Sequence, residues 1–356
     1  MADVKPRKGM PSPRLDEAEF RKRFLSQFRD PGFDPLTAEL IKITDAAWDA
    51  YKNSRKAPRT RKAGPEFADP GYDLALDWLH AREAIRQAEI RYRDRSRARF
   101  LLINCSSRSE HTCPGEMSKS YRLLEIAREE LATNAEVEVL DLSRLASEYG
   151  RNIHPCKACF STAAALCHWP CSCYPNYSLG QTQDWMNEIY PMWVAAHGVM
   201  IITPVNWYQV SSSLKLMMDR LVCADGGNPD PTTTRGKDPM RAKQIEMKGW
   251  DFPKHLAGRA FAVVAHGDAE GPEDVRDMLS GWLTSMGLYQ AGAQAALGTY
   301  IGYYEPYAVS HQTLDADRDL FTEVGNASRA LANMIGQIRS GKFVPPDAGL
   351  KDPRQK

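Results

Sequence analysis

The sequence predicts an α/β fold, a three-layer α/β/α sandwich around a five-stranded parallel sheet, preceded by an N-terminal helical extension. Three observations carry this expectation. Short continuous apolar runs recur from residue 99 onward, the pattern of strands buried on both faces that a parallel sheet requires. Amphipathic segments of helical length lie between them, so strand and helix alternate. Polar and glycine-bearing loops follow the strands, where open parallel sheets bind their ligands.

The bulk properties set the frame. A chain of 356 residues has room for one large domain with an appendage, or for two modest domains. A net charge of +1 with 43% hydrophobic residues indicates a globular protein without a strong bias toward nucleic acid or membrane. No apolar run approaches the ~20 residues needed to span a bilayer. The opening MADVKPRKGMPSPR has no apolar core of the kind a signal peptide needs, so a cytoplasmic location is expected. In that setting the eight cysteines read as thiols or metal ligands rather than disulfides.

Residues 1–97 form the extension. Pro6, Pro11 and Pro13 mark a loose start, and Phe20, Phe24 and Phe28 then recur on one helical face. Pro31-Gly32 breaks that helix, and Leu36, Leu40, Ile43 and Trp48 predict a second. KNSRKAPRTRKAGP, almost without apolar residues, reads as an exposed basic linker; a nucleic-acid arm is the sharper alternative. Leu74, Trp78, Ala81, Ile85 and Ala88 predict a third helix. The main domain is expected over 98–340, with a cysteine-rich insertion at 151–175, a second insertion at 225–255, and a tail from 341 to 356.

Within the main domain the first strand is Phe100–Asn104, followed by a helix near Met117–Leu131. Val137–Leu142 is the second strand, Asp184–Ala196 a helix and Val199–Thr203 the third strand. A helix at Ser212–Leu221 precedes the second insertion, Ala260–Ala265 is the fourth strand, and Pro272–Met286 is helical. Ala291–Leu297 is expected as the fifth strand and Asp315–Arg339 as the closing helix.

Three loops carry the chemistry. After the first strand come Ser106, Ser107, Arg108, Ser109 and Thr112, then a helix N-terminus; hydroxyls, a guanidinium and free backbone N–H groups converge into an anion site. Neither G-x-x-x-x-G-K-[ST] nor G-x-G-x-x-G is present, which sets aside nucleoside-triphosphate and Rossmann dinucleotide loops. Ser, Thr and Arg suit a terminal phosphate monoester with several free oxygens, and FMN carries such a group. After the third strand, Pro204 fixes a turn, Val205 and Asn206 offer amides, and Trp207 and Tyr208 supply flat apolar surface for a planar heteroaromatic ring. His266, Gly267 and Asp268 form the third loop, where His266 is the one candidate proton donor and a structural histidine is the plainer reading.

CSSR…SKSYRLL after the first strand, TPVNWYQVSSSLKLMMDRL after the third, and the strand–helix alternation together resemble the flavodoxin-like NAD(P)H-dependent FMN reductase superfamily, over about residues 99–340. The resemblance implies that Ser106, Ser107 and Arg108 hold the FMN phosphate, with Cys105 replacing the usual glycine. Ser118 and Ser120 fall where that family has hydroxyls opening the helix. Pro204, Ser212 or Ser213, Leu214, Lys215, Asp219 and Arg220 match its second motif, whose loop holds the isoalloxazine ring, although Asn206 stands where Tyr is common. The resemblance further implies a homodimer or higher homo-oligomer and small-molecule substrates, while the balanced charge and the lack of a spanning apolar run argue against a membrane or nucleic-acid partner.

HPCKACFSTAAALCHWPCSCYP places Cys156, Cys159, Cys167, Cys171 and Cys173 close together. Thiolates at C-x-x-C spacing can share one metal, so a [4Fe–4S] cluster and zinc are both candidates, and a redox-active Cys156–Cys159 pair without metal is the third reading. Iron–sulfur flavoproteins similar to this family carry a tighter four-cysteine motif; here position 162 is Thr. Cys105, Cys113 and Cys223 read as packing residues. The expected function is an FMN-dependent oxidoreductase passing electrons from NAD(P)H through FMN to a small acceptor such as a quinone or flavin. The alternative is an iron–sulfur flavoprotein carrying electrons through a cluster at Cys156–Cys173. No catalytic side chain is expected, since the flavin carries the chemistry. Tyr300, Tyr303, Tyr304 and Tyr307 are expected to cover the flavin or pack the sheet edge.

Overall fold

A computed structural model of the chain describes residues 7–133 and 135–350. Pro6 and the opening of MADVKPRKGMPSPR, and the end of the 341–356 tail, lie outside the described residues. The chain divides into two compact units, Met1–Pro58 with Pro175–Thr182, and Arg59–Tyr174 with Gln183–Lys356. The third predicted helix therefore belongs to the second unit.

In the first unit, α1 (Glu17–Leu25) starts at Asp16, whose carboxylate accepts from the Glu19 amide, and is followed by α2 (Thr37–Lys52). The phenylalanine repeat explains their pairing: Phe20 lies 5.8 Å from Phe24, 5.3 Å from Trp48 and 4.8 Å from Tyr51, ring centre to ring centre. Phe28 falls beyond α1, in a short 3₁₀ turn.

The second unit opens with a feature the basic segment did not predict. β1 (Thr60–Lys62) pairs antiparallel with β2 (Asp73–Ala75), so part of the supposed linker is an ordered hairpin. β1 is polar and exposed and gives no apolar alternation to read. α3 (Leu76–Arg93) follows directly.

The sheet then builds as expected. β3 (Ala98–Asn104), α4 (Lys119–Leu131), β4 (Ala135–Asp141), the short α5 (Arg144–Ser147), α6 (Met186–Ala195), β5 (Gly198–Pro204) and α7 (Ser212–Arg220) come in that order. α8 (Pro239–Met247) lies in the second insertion, ahead of β6 (Ala260–Gly267), α9 (Pro272–Ser285), β7 (Tyr289–Gln290), β8 (Ala296–Tyr300), α10 (Tyr307–Ala316) and α11 (Arg318–Arg339). The spatial order is β4-β3-β5-β6 and all pairings among these strands are parallel. β7 and β8 share the last position: β7 pairs with Ala260–Phe261 and β8 with Val263–Gly267.

The fifth strand differs from its expected span. Residues 293–295 form a 3₁₀ turn, and the strand lies at Ala296–Tyr300. The run AGAQAAL is too small-sided to mark a strand by burial, and the register against β6 fixes it instead.

Both sheet faces are covered, which is why β3, β5 and β6 read as unbroken apolar runs. Leu101, Ile103, Val199, Ile201, Phe261 and Val263 point to the layer containing α3, α6, α7 and α9. The alternate residues Phe100, Leu102, Met200, Ile202, Ala262 and Val264 point to α4 and α11. The predicted helix from Asp315 is two helices, because the Asp317 side chain accepts from the Leu320 amide and starts α11 afresh.

The two insertions pack on each other. The Trp169 amide donates to Asn228 O at 2.8 Å, the Asn228 amide donates to Cys167 O at 2.7 Å, and Ala163, Ala165, Leu166 and Ala242 form a small apolar cluster.

Candidate functional site

The site lies at the carboxyl ends of β3, β5 and β6, around a cavity of about 630 Å³. Eleven of the thirteen residues proposed above line it: Ser106, Ser107, Arg108, Ser118, Ser120, Pro204, Val205, Asn206, His266, Gly267 and Asp268. Trp207 and Tyr208 do not.

The first loop is built from the end of β3. Asn104 donates to Asp141 Oδ1 at 2.7 Å and accepts from the Ser106 amide at 3.2 Å, which turns the chain off the sheet. Ser106 Oγ then accepts from the Arg108 amide at 3.1 Å. Ser118 caps α4 by accepting from the Tyr121 amide at 3.1 Å, and the Lys119 amide donates to the Tyr307 hydroxyl at 3.1 Å, so the start of α4, with Ser120 next in its first turn, is fixed beside the cavity. The Arg108 guanidinium lies 4.0 Å from the Tyr307 ring centre, and its buried Nη1 has no hydrogen-bond partner. A buried guanidinium nitrogen left unpaired is uncommon, and an anion at this point would satisfy it.

The second loop is joined to the first by hydroxyls. Ser213 Oγ lies 3.1 Å from Ser107 Oγ and 2.9 Å from Ser211 Oγ, and Ser211 caps α7 and donates to Cys105 O. Of the two candidate motif serines, Ser213 is the one bonded to the first loop. The Val205 amide donates to His266 O at 2.7 Å, tying the second loop to the third. Asn206 and Gln209 exchange backbone hydrogen bonds at 2.7 and 3.0 Å around Trp207 and Tyr208, both of which have positive φ (49° and 67°). This tight turn projects the two rings outward, leaving Trp207 94% and Tyr208 65% exposed. They stand outside the cavity instead of forming its wall, and a side chain with a Cβ held at positive φ is the kind of local strain that accompanies function.

Gly267 admits a close approach, because a Cβ there would lie 3.2 Å from Val205 Cβ. His266 is buried and its Nε2 lies 2.8 Å from Ser120 Oγ. Burial, with Lys119 nearby, pushes its pKa down to about 3, so the ring is neutral at physiological pH and is not an imidazolium donor. The consequence for stability has a definite sign. The unfolded chain binds a proton near pH 6.5 that the folded chain refuses until about pH 3, so the contribution is complete above 6.5 and is lost as pH falls through that window. Chemical denaturation is expected to show stability falling by about 1.4 kcal/mol per pH unit from this histidine. His266→Gln should flatten that acid limb; an unchanged limb would show that the ring titrates normally.

Several cavity residues escaped the sequence reading. Lys119, the first residue of α4, places its ammonium 5.2 Å from the Tyr303 ring centre and 5.3 Å from that of Tyr307. Burial pushes its pKa down, against the pull of Asp268 and Glu305. Nothing in SKS singled it out, since a lysine beside a helix start ordinarily faces solvent. Cys113 was expected to pack but is exposed and lines the cavity, and Ala146 and Ile301 complete the wall. Of the four tyrosines, Tyr307 lines the cavity and donates no ring to the sheet edge, Tyr303 donates to Asp317 at 2.8 Å, and Tyr300 and Tyr304 are exposed.

The cysteines gather on the insertions. Among the described residues, no three or more His, Cys, Asp or Glu side chains are arranged to hold a metal ion. Lys237 instead donates to Cys173 Sγ at 2.8 Å and to Cys159 Sγ at 3.3 Å. Cys105 and Cys223 are buried, as packing residues would be. Arg220, at the end of α7, is buried against Asp184 (Nη1–Oδ1 2.9 Å, Nη2–Oδ2 2.5 Å) and donates to His154 O at 3.1 Å, which anchors the cysteine insertion.

The strand order and a ligand cradle at the carboxyl ends of the strands define a flavodoxin-like α/β protein. The chain belongs to the NADPH-dependent FMN reductase family, whose model matches residues 98–301. It is accordingly an NAD(P)H-dependent flavin oxidoreductase with FMN as cofactor. No curated protein sequence matches it. Among solved structures, it is similar to RosB with a bound 8-demethyl-8-formylriboflavin-5'-phosphate intermediate, at 13% identity over 69% of this chain and 82% of that one, TM-score 0.48. It is also similar to the apo form of the NADH:FMN oxidoreductase EMOB (15% identity, 70% and 92% covered, TM-score 0.35). A third is a WrbA-like flavodoxin from Agrobacterium tumefaciens (10% identity, 68% and 99% covered, TM-score 0.34). Scores this low add nothing to the family match.

Proposed function

We propose that the cavity binds FMN with its phosphate on Ser106, Ser107, Arg108, Ser118 and the first turn of α4, and its ring against Pro204–Asn206 and Gly267–Asp268, and that the acceptor is a small planar quinone or flavin. The observation that carries this reading is the unpartnered buried Nη1 of Arg108 beside a capped helix N-terminus. FMN supplies the redox chemistry when bound, taking a hydride from the nicotinamide and passing two electrons to the acceptor. The chain's own part is to bind, orient and exclude water. Arg108 and Lys119 neutralise the phosphate, and the close approach at Gly267 lets a flat ring lie against backbone. Ser120, held by neutral His266, can donate a hydrogen bond without changing charge. The exposed Trp207–Tyr208 turn offers a stacking surface to the second substrate, which fits sequential use of one face by nicotinamide and acceptor.

Steady-state kinetics with NADPH and p-benzoquinone test this. Parallel double-reciprocal lines are expected, with Trp207→Ala raising the KM for quinone about tenfold, the loss of about 1.4 kcal/mol of stacking. Unchanged quinone KM in that variant would remove the aromatic turn from acceptor binding, and absence of quinone turnover would overturn the acceptor class.

A further inference from the structure

Three serines join the first two loops of the site into one chain of hydroxyls, and the chain has a direction. Ser211 Oγ lies 2.5 Å from Cys105 O, and a carbonyl oxygen only accepts, so Ser211 spends its single hydrogen there. The Ser211 oxygen then takes two donors, the Leu214 amide at 3.2 Å and Ser213 Oγ at 2.9 Å, which makes Ser213 the donor of that pair. With its own hydrogen spent on Ser211, Ser213 accepts at its 3.1 Å contact with Ser107 Oγ, and Ser107 is the donor there. Ser211 and Ser213 are both buried. Ser107, which lines the cavity, therefore meets a ligand with its hydrogen already committed and only lone pairs to offer.

A hydroxyl in that state is poorly suited to a phosphate dianion, whose oxygens also only accept. It suits the O–H of a polyol. Its position agrees: Ser107 precedes Arg108, and it is bonded to Ser213 in the first turn of α7, the helix that follows the Pro204–Tyr208 loop. A group that runs from the phosphate to the ring passes between these two loops, and in FMN that group is the ribityl chain. We propose that Ser107 Oγ is the acceptor for a ribityl hydroxyl of the flavin, and that Ser107 serves the phosphate through its backbone amide alone. This assignment rests on the FMN reading given above and divides the labour within it. Arg108 selects the phosphate, and the Ser107–Ser213–Ser211 chain selects the polyol.

The test measures binding, not turnover, on the full-length protein freed of flavin. The probes are FMN, riboflavin, which lacks the phosphate, and lumiflavin, which carries a methyl group in place of the ribityl chain. Quenching of flavin fluorescence gives a dissociation constant for each. Ser107→Ala should weaken FMN and riboflavin by the same factor, about 3- to 10-fold, the worth of one neutral hydrogen bond, and leave lumiflavin unchanged. Arg108→Ala should weaken FMN and spare riboflavin. A Ser107→Ala loss confined to FMN would overturn the proposal and return the hydroxyl to the phosphate. A loss shared by lumiflavin would overturn it in favour of a ring contact or a disturbed loop, and no loss with any probe would show that the hydroxyl touches no flavin. An unmutated protein that binds none of the three would instead remove the FMN reading itself, so the two failures are distinct.

Discussion

Arg108→Ala is expected to weaken FMN binding by about 10- to 150-fold, the loss of a charge-assisted hydrogen bond worth about 1.5–3 kcal/mol. The guanidinium is half-buried and stacked on Tyr307, so it is organised before any ligand arrives, and its buried Nη1 is unsatisfied. Arg108→Lys should recover only part of the loss, because lysine keeps the charge without the planar fork. Titration of apo-protein with FMN, followed by quenching of flavin fluorescence, measures both. Thermal stability of the apo-protein should be unchanged or slightly higher in Arg108→Ala, since removal relieves an unpaired buried nitrogen. Equal FMN affinity in all three proteins would place the phosphate elsewhere.

The second large effect is on stability. Arg220→Met strands the Asp184 carboxylate inside the protein, where it is fully covered, and is expected to destabilise by about 3–5 kcal/mol. That corresponds to a fall in Tm on the order of 10 °C. The guanidinium also lies 4.8 Å from the Tyr174 ring centre and holds His154 O, so the cysteine insertion should loosen first. The double variant Arg220→Met/Asp184→Leu should recover much of the loss, because a well-packed apolar pair leaves no buried charge. A single variant as stable as the parent would show that the pair is solvated.

These two arginines also show what the sequence made legible. Arg108 stood out because it follows a strand inside a run of hydroxyls, a local pattern with a local cause. Arg220 was equally visible in the LKLMMDR span, yet its role is structural: it closes a contact 36 residues back, which spacing does not reveal. The strands β3, β5 and β6 were readable because both their faces are buried. The strand at Ala296–Tyr300 and the hairpin at Thr60–Lys62 were not, because one is small-sided and the other exposed, so their positions depend on pairing partners. Trp207 and Tyr208 lie on the loop after β5 but stand outside the cavity, since positive φ in two successive residues with side chains is not a propensity the sequence announces. Lys119 and Lys237 were missed for a common reason: lysine ordinarily faces water, and only tertiary packing shows that these two are largely covered.

The anaerobic absorption spectrum of the purified full-length protein, before and after one equivalent of NADPH, tests the central claim most directly. The expected result is a flavin spectrum, released as FMN on denaturation, whose visible bands bleach on adding NADPH and return with quinone. A protein that retains no flavin after incubation with FMN would contradict the account, as would bound FMN that NADPH leaves oxidised.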